Sequence, residues 1–104
     1  MTATLAGHQV EVDHEGYMQK PEQWNEEIAQ ELANEVGIGT LNDRHWRVIE
    51  FMRAKFMENG TAPSIRALGK ESGVPVKELY QLFPKGPAKL AARVAGIPKP
   101  RGCV

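Results

Sequence analysis

The chain has 104 residues, enough for one domain with one modest core. Thirteen basic and thirteen acidic residues cancel, and 41% of positions are apolar, which suits a globular chain better than a disordered one. No apolar run approaches the ~20 residues of a membrane helix. Met1 to Gly7 also lack the charged and hydrophobic regions of a signal peptide, so a cytoplasmic protein without membrane association is expected.

The pattern from Thr4 to Val12 predicts a small hairpin, with Ala6-Gly7-His8 as its turn and Val10 and Val12 alternating with polar neighbours. Gly16 marks a second turn. From Trp24 the spacing becomes helical: Trp24, Ile28 and Leu32 fall at i, i+4 and i+8 with Ala29 and Ala33 beside them, up to about Gly37. Asn42 or Asp43 is placed to cap a second helix, whose Trp46, Ile49, Met52 and Phe56 form an apolar stripe ending at Asn59-Gly60. These aromatics are expected in the core. Pro63 opens a third helix with Ile65 and Leu68, up to Ser72-Gly73. A fourth follows the Gly73-Val74-Pro75 break and carries Leu79, Tyr80, Leu82 and Phe83.

Pro84 and Gly86 interrupt that helix, and Pro87 suits the first position of a fifth, which runs to about Ala95. Gly96 ends regular structure, and Pro98 and Pro100 prevent its return. The expected fold is mainly α: a small orthogonal bundle of about five helices with a short N-terminal β-hairpin. Residues 1–96 form the domain and residues 97–104 a flexible, mobile C-terminal arm.

Charge is unevenly distributed. Residues 1–35 hold eight acids (Glu11, Asp13, Glu15, Glu22, Glu26, Glu27, Glu31, Glu35) against Lys20 alone. Residues 85–104 hold Lys85, Lys89, Arg93, Lys99 and Arg101 and no acid. Such a tail could meet an acidic partner, an anionic intermediate or RNA, or could simply be a solvated end.

The stretch Leu68, Gly73, Val74, Leu79-Tyr80 and Phe83 is similar to the helix-turn-helix of TetR-type repressors. A DNA-reading helix needs several basic or amide side chains at base edges and phosphates. Between Val76 and Phe83 there are only Lys77 and Gln81, opposed by Glu78, and the chain's pI is about 6.8. Two helices packed at an angle is the favoured reading. Direct DNA binding, as by a regulator, is the disfavoured one.

One cysteine, Cys103, excludes an intramolecular disulfide. His8, His14 and His45 show no ligand spacing, so neither a metal nor another cofactor is expected. Lone cysteines are often inert, but chain ends are seldom buried. Ile97 to Val104 is eight residues, reaching at most about 26–29 Å when extended. Two prolines stiffen that stretch, and Gly102 leaves the backbone free to enter a narrow site. The arrangement suits delivery of a thiol into another protein, although an incidental cysteine on a frayed end is the alternative. Lys99 and Arg101 would lower the thiol pKa and the Val104 carboxylate would raise it.

Two segments carry a resemblance. Leu79-Tyr80-Gln81-Leu82-Phe83-Pro84-Lys85-Gly86-Pro87-Ala88-Lys89 resembles the "LY-x-LFP-x-GPAK" signature of the DsrC/TusE family. Ala95-Gly96-Ile97-Pro98-Lys99-Pro100 followed by Gly102-Cys103-Val104 resembles its C-terminal "AGLPKPxGCV". Glu15-Gly16-Tyr17, His45-Trp46, Arg53, Pro63 and Arg66 also match family positions. The resemblance implies a helical fold with an N-terminal hairpin and a mobile arm, whose penultimate cysteine carries sulfur or forms mixed disulfides. DsrC members use a second cysteine eleven positions earlier, where this chain has Ala92. Cys103 is thus implied as a persulfide-carrying nucleophile that must unload onto another molecule.

Lys99 and Arg101 are candidates to stabilise its anion, and Arg66, Lys85 and Lys89 to dock the arm or a partner. The partners implied are a protein sulfur donor and acceptor. A TusE-like relay toward tRNA 2-thiouridine fits Ala92. The short Lys70–Val76 connection lacks the insertion common to both DsrC and TusE members, and the "GCV" ending is the DsrC form. A DsrC-like accessory of sulfite reductase, or a carrier in another sulfur pathway, therefore stands as the alternative.

Overall fold

The computed structural model describes residues 1–100; Arg101 to Val104, and Cys103 with them, lie outside the described residues. Strand β1 (Thr2–Leu5) pairs antiparallel with β2 (His8–Glu11), Leu5 opposite His8 and Thr2 opposite Glu11. The turn is the pair Ala6-Gly7, both in the left-handed region at φ 50° and 81°, as a two-residue hairpin turn requires. The hairpin therefore starts two residues earlier than the pattern suggested, and His8 belongs to the second strand. Glu31 fixes the turn from outside, accepting the Ala6 N–H at 2.7 Å.

Beyond β2 the carboxylate of Asp13 accepts the N–H groups of Glu15 and Tyr17, each at 2.9 Å. This tight turn brings Met18 back opposite Val12 and buries Tyr17 and Met18.

Five helices follow: α1 (Glu26–Glu35), α2 (Asp43–Asn59), α3 (Ile65–Glu71), α4 (Val76–Leu82) and α5 (Pro87–Val94). Asn25 caps α1 by accepting the Ile28 N–H at 2.9 Å. Trp24 thus precedes the helix instead of lying on its face; Ile28, Ala29, Leu32 and Ala33 are the buried set. Ser64 caps α3, one residue after the proline expected to open it. The fifth helix begins at Pro87 as its fixed φ predicts.

The inward face of α2 is His45, Val48, Ile49 and Met52, with Trp46 and Phe56 half-buried at its flanks. The expected stripe missed this rotation because it counted aromatics and left out a histidine. His45 is buried by use. Its Nδ1 accepts the Asn42 N–H at 3.1 Å while Asn42 accepts the His45 N–H at 3.0 Å, a reciprocal cap. With Nδ1 accepting, Nε2 carries the hydrogen and donates to the Leu82 carbonyl at 3.0 Å. The ring also meets Phe83 edge-on, centroids 5.3 Å apart. One side chain thereby joins the start of α2 to the end of α4.

Helix α5 packs against all four other helices. Its contact surface is small: Ala88, Ala91 and Ala92 with Pro87 and Val94, and then Ala95. Alanines let neighbouring helices come close on several sides of one short helix. No helix among the described residues is long and apolar enough to cross a membrane.

His45→Ala should lower the unfolding free energy by about 2–4 kcal/mol, because it removes a cap and a ring contact and orphans a buried carbonyl. Urea denaturation checks this as a lower midpoint at unchanged slope.

Candidate functional site

The geometry of interest is the point where the chain leaves α5 on its way to Cys103. A helix end leaves its last carbonyls without partners. Here each of the last four has a donor. The Ile97 N–H reaches Ala92 O and the Gly96 N–H reaches Arg93 O, both at 3.2 Å, which is the Schellman pattern. The Trp24 indole N–H donates to Val94 O at 2.9 Å, and Arg53 Nη1 donates to Ala95 O at 2.9 Å.

The Arg53 guanidinium also stacks 4.1 Å from the centre of the Trp24 ring and donates to Pro21 O at 3.2 Å. Burial pushes the Arg53 pKa down, and those two carbonyls and the ring are what compensate the buried charge. Gly96 sits at φ 69° against the indole, where a Cβ would overlap Trp24 Cδ1. Glycine is required there twice, for its backbone and for its size.

The segment beyond stays on the body as far as it is described. Ile97 and Pro100 are buried. Lys99 Nζ donates to both carboxylate oxygens of Glu15 at 2.9 Å. Those bonds raise the Lys99 pKa above the usual lysine range, so the lysine side of the clasp stays charged at neutral pH and gives up its proton only in strongly alkaline solution. Burial raises the pKa of the neighbouring Tyr17 phenol, with the Lys99 charge opposing. Arg93 ties the same corner, from Nη1 to Glu15 O at 3.2 Å and from Nη2 to Glu35 at 3.3 Å. Beside this segment, Phe56, Gly60, Thr61 and Ala62 form a cleft of about 170 Å³ with Pro98 and Lys99.

Over residues 4–104 the sequence matches the family described as DsrC like protein. The chain belongs to the DsrC-like family. It is 39% identical over 101 residues to the gamma subunit of dissimilatory-type sulfite reductase from Nitratidesulfovibrio vulgaris, covering 97% of this chain and 96% of that one. It is 42% identical over 106 residues to the sulfurtransferase TusE of Escherichia coli, covering 94% and 95%. Among solved structures, the NMR structure of Allochromatium vinosum DsrC has a TM-score of 0.83 at 40% identity, over 99% of this chain and 97% of that one. The helix-turn-helix-like pair α3–α4 is thus an element of the DsrC-like fold.

Of the candidate residues, Cys103 and Arg101 lie outside the described residues. Lys99 is held by Glu15 on the hairpin side. Arg66 is exposed on α3, Lys85 is exposed between α4 and α5, and Lys89 is exposed on α5. The family positions Glu15 and Arg53, with Trp24 and Arg93, form the seat of the departing chain, and Gly16, where a Cβ would meet Arg93 Nη2 at 2.8 Å, leaves room for it. Sequence reasoning gave none of them that role, although the acid-rich start and base-rich end were its signal.

Two substitutions separate the parts of the seat. Gly96→Ala should cost at least about 2 kcal/mol, from strain and overlap with Trp24. Glu15→Gln should cost no more than about 1 kcal/mol, since the Lys99 pair is solvent-exposed. Thermal unfolding of the two variants checks the order.

Proposed function

We propose that this protein carries sulfur as a persulfide on Cys103 and hands it to a partner protein's thiol, as a TusE-like relay component. Membership of a family that includes sulfurtransferase TusE supports the sulfur-handling role. The observation that carries the one-thiol mechanism is Ala92: the chain has a single cysteine, and alanine fills a fully buried place on α5 eleven positions before it.

Loading is attack of the Cys103 thiolate on the outer sulfur of a donor persulfide. A new S–S bond forms, the donor's S–S bond breaks and the donor leaves as a thiolate. Unloading is the same step with the acceptor thiolate attacking the outer sulfur and the Cys103 thiolate leaving. Neither step needs an external oxidant. Arg101 and Lys99 are the cations nearest in sequence to stabilise the anion, Lys99 on release from Glu15. Arg66, Lys85 and Lys89 are proposed as docking residues. While Ile97 to Pro100 stay seated, Cys103 is three residues beyond Pro100, a reach of at most about 10–11 Å. Loading then takes place close to the body, in the cytoplasm, with tRNA 2-thiouridine synthesis as the pathway served.

A DsrC-like accessory of sulfite reductase is the second reading, favoured by the 39% identity to a sulfite reductase gamma subunit and by the Gly102-Cys103-Val104 ending.

Intact mass spectrometry after treatment with a persulfide donor should show a gain of about 32 Da, one sulfur atom, that is absent in Cys103→Ser. A gain of the same size in the serine variant contradicts the proposal. Deletion in the native host, followed by quantifying 2-thiouridine in tRNA, decides between the two readings: a loss supports the relay, and an unchanged level supports the sulfite reductase role.

A further inference from the structure

The α3–α4 pair has two acids, and α2 takes both. Lys55 reaches Glu71 at 3.3 Å and Arg44 reaches Glu78 at 2.7 Å, the latter bond holding the Glu78 carboxyl below its usual range. The outer side of α3, α4 and the start of α5 is then left with Arg66, Lys70, Lys77, Lys85 and Lys89. All five are exposed, and none makes an ion pair among the described residues.

Apolar surface lies among these cations. Val76 is 41% exposed and Tyr80 is 54% exposed, one turn apart on α4. Gly69 of α3 abuts α4 so closely that a Cβ there would overlap Val76 Cγ2. Arg66 and Lys70, three residues before Gly69 and one after, are brought to Val76 by that crossing. Lys77 and Gln81 continue the exposed side of α4 past Tyr80. The pattern is an exposed apolar pair, one of them aromatic, on a surface whose unpaired charges are cationic, which resembles the anatomy of a protein interface.

We infer that this α3–α4 face docks a partner protein whose own surface is acidic around an apolar recess that accepts Tyr80. The inference rests on the carrier reading, since a carrier must be recognised by its donor and its acceptor. Protein is favoured over nucleic acid by the composition of the face: four lysines to one arginine, one amide and an apolar centre. The acid-rich first 35 residues of the same chain also oppose long-range attraction of a polyanion.

The test titrates the full-length 15N-labelled chain with a synthetic helical peptide of about 20 residues bearing glutamates around two leucines. Amide shifts should concentrate between Arg66 and Lys89. Lys77→Glu with Lys85→Glu should weaken binding by about tenfold or more, and Tyr80→Ala by about fivefold, with further weakening as salt rises. Shifts centred on the hairpin or α1, or affinity unchanged in these variants, would overturn the inference. So would unfractionated tRNA moving the same amides at lower concentration. Tyr80→Ala, outside the residues proposed for loading, should load sulfur from a small-molecule persulfide as the unaltered chain does. If the unaltered chain binds the peptide but never loads, the carrier reading falls and the docking face stands.

Discussion

Four carbonyls at the end of α5 set the geometry on which the rest of this structure depends. A buried helix terminus must find donors for its last carbonyls or lose stability for each one left open. Backbone turns supply two here, through Gly96 and Ile97; Trp24 and Arg53, from before α1 and from the middle of α2, supply the other two. Satisfying that end therefore also locks together the three parts of the chain that meet there. It also fixes, within the described residues, the line along which the chain sets out for Cys103.

The same corner accounts for part of the charge asymmetry. Arg93 and Lys99, two of the five bases in the last twenty residues, pair with Glu35 and Glu15 of the acid-rich start. A solvated or partner-seeking tail was the alternative reading of those charges, and for these two the partner is internal. On α3 and α4 the logic is reversed. The acids are consumed by α2, and the bases face outward. Internal pairing thus sorts an electrically neutral sequence into a closed corner and a cationic face.

Most of the fold was legible because local chemistry and tertiary structure agree. Pro87 opens α5, Gly60 closes α2 at φ 78°, and Asn42 caps α2, each as its residue type dictates. Legibility failed where long-range contacts decide. Trp24 is spaced like a helical core residue, yet Asn25 captures the first turn and the indole is drawn to Val94 O, seventy positions away. His45 reads as polar and is buried, because Asn42 and Leu82 occupy its two nitrogens. The candidate site divides in the same way. Family motifs in the sequence marked Cys103 and the segment leading to it, but periodicity could not reveal that Glu15 and Arg93 secure that segment.

The account turns on where the sulfur goes after loading, and a single-turnover discharge measures it. The chain is loaded with 34S-labelled persulfide, freed of donor and mixed with an excess of a protein acceptor thiol; both proteins are then weighed intact. The account predicts that the label moves to the acceptor while this chain returns as a free thiol, with no disulfide formed. Sulfide released to solution with nothing on the acceptor, or a disulfide between the two proteins as the final product, would contradict it.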